Sequence, residues 1–304
     1  MSNDPYHISV CVCTYKRPLF LQRLLDELRE QETNGLFTYS IVVADNDHLQ
    51  SAKAVVEGFE AASNIPIIYC VEPRQNIALA RNKTIENAEG DFVALIDDDE
   101  FPTRRWLLTL FEACTKGNVD GVQGPVRRYF DEEPPKWVLK GGFYERPTYS
   151  TGLIIDWRKG RTNNVLLKKS IFTAAGPEPF RPECRTGEDM DFFRRVSEKG
   201  YVFIWCNEAV VYEAVPPLRW KRSFMLRRAL LQGTLVPVVE PTTVGLVSVS
   251  KSVVAVLVYG AALPFALIVG QHRFMSLLVK LCAHIGKLLA LIGLNPVKEP
   301  YVTE

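Results

Sequence analysis

The chain has 304 residues, 47% hydrophobic and 23% charged, with 36 Lys and Arg against 35 Asp and Glu for a net charge of +1. That length holds one large domain with an appendage, or two modest domains. A charge balance this even gives no global attraction for nucleic acid. The seven cysteines, Cys11, Cys13, Cys70, Cys114, Cys184, Cys206 and Cys282, form no CxxC pair and are odd in number. Most lie inside apolar runs, so they read as buried free thiols in a reducing compartment, without the ligand spacing of a zinc site.

The N-terminal ISVCVCTY run is too short, and lacks the basic start, for a secretory signal. It predicts instead a first buried strand over 8–14, in a protein whose N-terminus stays in the cytosol. PLFLQRLLDELREQ (18–31) predicts a helix, with Pro18 suited to its first turn. SIVVAD (40–45) is the next strand, followed by a helix around 51–62. IPIIYCVE (65–72) is a third strand, NIALARNKTIENA (76–88) a helix that Gly90 ends, and DFVALID (91–97) a fourth strand. A helix through WLLTLFEAC (106–114) follows. This alternation predicts an α/β fold with a mainly parallel sheet and helices on both faces. Ligands of such sheets collect at the carboxyl ends of the strands, where Asp45 and Asp97 both fall.

From about 117 to 187 Pro and aromatic residues are frequent and the strands short, as in a mixed region laid over the same sheet where a second substrate could dock. TGEDMDFFRRVSEKG (186–200) predicts a helix with Met190, Phe193 and Val196 three apart, closed by Gly200. YVFIWCNEAVVYEA (201–214) supplies one or two further strands. Residues 252–271 then carry no charge over 20 positions, enough helix to cross about 30 Å of bilayer core. In 274–294, Lys280, His284 and Lys287 form one polar stripe on an otherwise apolar helix. That pattern suits a helix lying in the membrane interface, since a Lys buried at a bilayer centre costs roughly 2.5–3.5 kcal/mol. A soluble helical hairpin or a dimer interface would also account for the tail. The expected division is a catalytic domain over 1–240 and a membrane-associating helical segment over 241–304.

ALIDDDEFP (94–102) ends an apolar run in Asp97, Asp98, Asp99 and Glu100. Along an extended segment Asp97 and Asp99 point one way and Asp98 the other. Two converging carboxylates offer hard oxygen ligands to Mg²⁺ or Mn²⁺, which would cancel their repulsion and keep open positions for a diphosphate. A solvated acidic turn before a helix N-terminus is the competing reading. Asp45, in VVADND, could accept from a uracil N–H or ribose hydroxyls, or form an Asx turn. EPRQNIALARN sets Arg74, Asn76 and Arg81 around a helix start that would welcome diphosphate, and Lys16 and Arg17 add positive charge at the same edge. In GED (187–189) a carboxylate at the head of a helix is stabilised in its ionised form, as a general base requires; ordinary capping is the alternative.

Taken together, CTYKRP, VADND, NIALARN, LIDDDE, NNVLLKKS and TGEDMDFFRR, in this order and spacing over about residues 8–235, resemble family 2 of the inverting, nucleotide-sugar-dependent glycosyltransferases of GT-A fold. VVYEAVPPLRW and RRALLQG look most like bacterial enzymes of exopolysaccharide assembly. The resemblance implies a nucleotide-sugar donor contacted by Thr14, Arg17, Asp45, Asn76, Arg81, Asp97 and Asp98, with Asn164 lining the sugar pocket. It implies Asp99 as ligand of Mg²⁺ or Mn²⁺, Asp189 as catalytic base, and Glu188 shaping the acceptor site. Arg227 and Arg228 would lie near the diphosphate or the membrane surface. Glu213 stands where many GT-A enzymes place a metal-binding His, and pairing with a nearby Arg is the simpler expectation for it.

The reaction implied is a single inverting displacement, from a nucleotide-diphosphate donor, UDP-linked by family weight, to a glycan or lipid-linked oligosaccharide at the cytoplasmic face of the bacterial inner membrane. The basic run RWKRSFMLRR (219–228) agrees with that side. A sugar-nucleotide nucleotidyltransferase would need a Gly-rich loop where CTYKRP stands. A non-catalytic membrane adaptor of transferase-like fold would not need Asp97, Asp99 and Asp189 together. No GxGxxG follows a strand, which excludes a dehydrogenase.

Overall fold

The structure, a computed structural model, describes residues 5–184, 187–239, 245–294 and 296–297, with only the backbone of 235–239. The chain divides into two compact units: residues up to Arg128 with Arg146–Glu213, and Tyr129–Glu145 with residues from Ala214 onward.

The first unit begins with four β-α repeats: β1 (Tyr6–Thr14), α1 (Pro18–Arg29), β2 (Phe37–Asp45), α2 (Lys53–Ala62), β3 (Ile67–Val71), α3 (Ile77–Asn87), β4 (Phe92–Asp97), then the short β5 (Glu100–Pro102) and α4 (Trp106–Gly117). There follow β6 (Gly121–Gln123), β7 (Val126–Tyr129), β8 (Val165–Lys168), α6 (Ser170–Ala175), α7 (Glu188–Glu198), β9 (Phe203–Trp205) and β10 (Val211–Ala214); α5 (Lys136–Gly141) lies in the second unit. The main sheet has the order β3-β2-β1-β4-β8-β6-β9. Its first four strands are parallel, as expected. β8 is antiparallel to both β4 and β6, and β9 runs parallel to β6, so the sheet is mixed. A three-stranded sheet β5-β10-β7 stands beside it.

Strand alternation divides the core into two layers. Ile8, Val10 and Val12 of β1 pack under α1, α2 and α4 with Leu21, Leu24, Val56 and Trp106, while Cys11, Val93 and Leu95 face α3, α6 and α7 with Phe172, Phe192 and Phe193. Burial on both faces explains why β1 and β2 read as continuous apolar runs. On α7 the buried face is Glu188, Asp191, Phe192, Phe193 and Val196; Met190, counted from the sequence as part of the apolar stripe, is only half-buried. Gly90, at φ +93°, is required, because a Cβ there would lie 2.7 Å from the His7 carbonyl oxygen. All seven cysteines are free thiols; Cys11, Cys114 and Cys206 are buried as the sequence implied, whereas Cys13, Cys70, Cys184 and Cys282 are half-buried.

The second unit holds α5, α8 (Arg222–Val239), α9 (Leu246–Val269) and α10 (Gln271–Leu291). By length and composition α9 and α10 could each cross a membrane. A single residue, Gly270 at φ +139°, turns one into the other. Ser248 accepts from Lys287 (2.6 Å) and Ser252 lies 3.3 Å from His284, so the pairing runs antiparallel. On the polar stripe of α10, Lys280 is exposed, whereas His284 and Lys287 are half-buried and each has one contact to a serine of α9. α8 and α10 meet at Gly233 and Gly286, where a Cβ would strike the carbonyl oxygens of Ala283 and Leu230.

Candidate active site

β1 and β4 are adjacent parallel strands, so Thr14 and Asp97 emerge at one carboxyl edge. Asp97 is the last residue of β4, and Asp98 and Asp99 form the turn into β5. The strict alternation expected for the acids therefore stops at Asp97. Asp98 and Asp99 are both bridged by Arg17, at 3.2 and 3.4 Å, and the Thr14 hydroxyl donates to Asp98 at 2.8 Å. Glu100 is also buried, accepting from the Asn163 amide (2.8 Å) and from the Asp97 N–H.

These carboxylates crowd one another. Burial first, then Asp99, push the Asp98 carboxyl up to about 7 against the pull of Arg17 and Thr14. Burial and Asp97 hold Glu100 well above the usual range. Desolvation in the recess also raises Asp97, opposed by Arg81 and helped by Asp99; its side chain is 43% exposed, so solvent moderates that push. Among the described residues no group of three or more His, Cys, Asp or Glu side chains is set to hold a metal. The fit is to a cation shared with a ligand: one or two carboxylate ligands plus phosphate oxygens is how Mg²⁺ is held beside nucleotides. The uncancelled repulsion around Asp97 and Asp99 favours such a cation.

The opposite wall comes from α3 and α7. Asn76 caps α3, accepting from Ala78 N (2.9 Å) and Leu79 N (3.3 Å) and donating to the Pro182 carbonyl. These helix-start amides, expected to receive diphosphate, are already occupied. Arg74 pairs with Glu72 at 3.1 Å. Arg81, one turn into α3, is buried; it ion-pairs with Glu188 and lies 3.7 Å from Asp97. Burial works against its charge, but Glu188 and Asp97 outweigh that and hold the guanidinium firmly protonated. Burial raises the Glu188 carboxyl, and Arg81 opposes the rise. Asp189, next along the first turn of α7, accepts from the Met190 N–H at 2.8 Å and is half-buried. Arg81 thus joins the acidic turn to the helix that carries Asp189.

Two expected ligand-facing residues are sealed inside. Asp45 is fully buried and accepts from Asp47 N (3.0 Å), Ala52 N (2.8 Å) and the Tyr69 hydroxyl (2.9 Å), which is the Asx-turn alternative. Asn164, at φ +55° and fully buried, accepts from Trp106 Nε1 and donates to the Pro125 and Ala209 carbonyls. It braces the frame and has no open face toward a sugar. Glu213 ion-pairs with Arg146. Arg227 and Arg228 lie exposed on α8 of the second unit. Sequence reasoning missed Arg146, whose charge also acts on Asp97 and Glu100, because it sits in a Pro-rich loop without a motif. It also missed Asn46, whose side chain latches the Glu72 and Arg74 carbonyls and the Asn76 N–H although it stands inside VADND.

A family model described as glycosyl transferase family 2 matches residues 9–174, and one described as glycosyl transferase family group 2 matches residues 92–294. The chain is 34% identical over 236 residues to the succinoglycan biosynthesis protein ExoM of Rhizobium meliloti (strain 1021), covering 77% of this chain and 75% of that protein. Among solved structures, S. aureus TarS 1-349 in complex with UDP matches with TM-score 0.55 at 14% identity, over 95% of this chain and 92% of that one. The mannosyltransferase PcManGT from Pyrobaculum calidifontis, in complex with GDP-Man and Mn²⁺, matches with TM-score 0.55 at 17% identity, over 94% and 88%. At these identities the structural likeness speaks for the fold.

Proposed function

The chain belongs to glycosyltransferase family 2, and on that premise we propose that it moves a sugar from a UDP-linked donor to a glycan hydroxyl with inversion at the anomeric carbon. Similarity to a succinoglycan biosynthesis protein supports a place in bacterial exopolysaccharide assembly. The observation that carries the reading is the Arg81 bridge, with Glu188 on one side and Asp97 at 3.7 Å on the other. It sets donor-side acids and a helix-borne carboxylate around one recess.

In this reading Arg17 and Thr14 hold the Asp98–Asp99 turn in place before the donor arrives, so little reorganisation remains at the moment of reaction. Asp97 and Asp99 would hold a divalent cation together with the donor's diphosphate. When bound, that cation supplies charge neutralisation to the departing nucleoside diphosphate. Arg81 adds fixed positive charge beside Asp97. Asp189 takes the proton from the acceptor hydroxyl as the oxygen attacks the anomeric carbon from the face opposite the leaving group. One base and no protein nucleophile gives inversion. Holding the two substrates in line contributes several kcal/mol, within the roughly 7–11 kcal/mol that orientation can supply.

We assign residues 1–240 to catalysis and 241–304 to membrane association. α9 and α10 are apolar enough to span, and the basic run 219–228 favours the cytoplasmic leaflet. A lipid-linked oligosaccharide acceptor at that face follows, with Arg227 and Arg228 directed to anionic headgroups or the lipid diphosphate. The test is calorimetric binding of UDP and GDP to the detergent-purified chain, with and without Mn²⁺, on wild type, Asp99→Ala and Asp189→Asn. Metal-dependent UDP binding, lost in Asp99→Ala and kept in Asp189→Asn while transfer disappears, is expected. Turnover by Asp189→Asn would remove Asp189 from the base role, and absence of nucleotide binding would sink the transferase reading.

A further inference from the structure

At the far end of the main sheet lies an open cleft of about 690 Å³, lined from one side by Thr148, Ser150, Thr151 and Leu153 and from the other by Asn207 and Glu208 after β9; Tyr149 completes it. Its walls are built, because residues 152–155 pair along β9: Gly152 N donates to Trp205 O (2.8 Å), Trp205 N to Leu153 O (2.9 Å) and Ile155 N to Phe203 O (2.9 Å). Tyr149 packs edge-to-face on Trp205 at 5.1 Å. Glu208 is fixed by the Thr151 hydroxyl at 2.6 Å, which holds its carboxyl below the ordinary range, and the same hydroxyl accepts from Asn207 N.

Asn207, in the lining, keeps its side-chain Oδ1 buried and without a partner. A small turn of that amide toward the cleft lets a ligand donor recover the free energy of the unmade bond. The lining itself contains no Lys, Arg or His and one carboxylate, Glu208, and the Lys159 ammonium stands 4.4 Å from the centroid of the Tyr149 ring. Hydroxyls, an amide, a carboxylate and one aromatic ring match a neutral, hydroxyl-rich ligand, whose groups both donate and accept.

The position is informative too. Leu95, Val165, Gln123 and Trp205 are successive register partners, forming one row across β4, β8, β6 and β9. Asp97 and Asn207 each follow that row by two residues, at the same carboxyl edge. Three strand spacings of roughly 4.8 Å separate their strands by about 14 Å. One sugar ring does not bridge that distance, whereas a short oligosaccharide does.

We propose that the cleft beside β9 is a docking subsite for the distal sugars of a neutral oligosaccharide acceptor, which rests on the reading that the acceptor is a glycan. The subsite sets acceptor length: the terminal hydroxyl reaches the Asp189 recess while sugars further back rest on Tyr149 and Asn207.

The experiment uses the full chain in detergent on an array of defined neutral and anionic oligosaccharides of one to six residues, with UDP binding measured in parallel. Asn207→Ala removes the unpaired acceptor, and Thr148→Trp fills the cleft from its exposed rim. Expected is capture of neutral oligosaccharides of three or more residues by wild type, weakened at least tenfold in both variants, with UDP binding and melting temperature unchanged. Equal capture by wild type and both variants overturns the subsite and leaves the glycan-acceptor reading standing. UDP binding with no capture of any saccharide overturns both. A variant that loses UDP binding or melts early is misfolded, and the other variant then decides.

Discussion

Replacing Arg81 by Met isolates what the Arg81–Glu188 pair does for the fold. Glu188 is 6% exposed, so the variant leaves a carboxylate inside the protein without its cation. The carboxyl can escape only by taking up a proton. At pH 7, from an ordinary glutamate value near 4.3, that costs about 3–4 kcal/mol at 1.36 kcal/mol per pH unit. The sign follows from proton uptake. In the variant Glu188 titrates higher folded than unfolded, so the penalty is absent below the unfolded value and grows as pH rises toward the folded one. Arg81→Met then melts close to wild type at pH 4.5 and about 10 °C lower at pH 7, taking roughly 2–4 °C per kcal/mol for a unit of this size. Adding Glu188→Gln to Arg81→Met recovers most of that loss at pH 7 without restoring transfer. The assay is thermal unfolding from pH 4.5 to 8 for the two single variants and the double. A pH-independent loss, or a double variant no better than Arg81→Met, refutes the argument that an orphaned Glu188 charge is the cause.

Other outcomes follow from the same geometry. The Asp98 carboxyl, held at about 7, opposes folding once deprotonated, so wild-type stability without divalent cation falls as pH rises from about 4 to 7. Asp98→Asn removes that slope and is more stable than wild type at pH 8 by on the order of 1 kcal/mol, after loss of part of its bonding to Arg17 and Thr14; denaturant titration at pH 4.5 and 8 checks this. Gly286→Ala forces a Cβ against the Leu230 carbonyl, a backbone atom that cannot rotate away, and costs about 1–3 kcal/mol in a melting experiment. Gly260→Ala, in the interior of α9 with nothing within 4 Å, gains about 0.5–1 kcal/mol in the same assay. Ser248→Ala leaves Lys287 without its hydroxyl partner and destabilises the helical unit by about 1–3 kcal/mol, read by protease resistance of the hairpin.

The elements that the sequence announces are those whose pattern is local. β1, β2 and β4 are largely buried on both faces, so their apolar runs stand out; the edge strand β3 is half-buried along its length but keeps an apolar run, and α1 and α7 carry a clear period between turn residues. β5, β6 and β9 are three residues each and gain strand character only from neighbours distant in the chain. The same division runs through the site. Asp97, Asp98, Asp99, Glu188 and Asp189 lie in two short motifs, and the fold brings those motifs to one recess through Arg81. Arg146 has no motif, and its role exists only because residue 213 folds back beside it. Asp45 and Asn164 show what the sequence hides in the other direction. A polar residue at a strand end reads as a ligand group, but three hydrogen bonds from its own surroundings occupy each of them.

The serine ladder of α9 also orders events during synthesis. Ser252 leaves the ribosome 32 residues before His284, and Ser248 leaves it 39 residues before Lys287, the groups they contact. α9 asks nothing of α10, whereas α10 carries two polar groups whose partners lie on the helix already made. The one-residue joint at Gly270 returns α10 along α9 as it emerges. The pair therefore assembles as vector and template, and a chain in which α9 is deleted or replaced by a plain apolar helix presents α10 with nowhere to hide its charge.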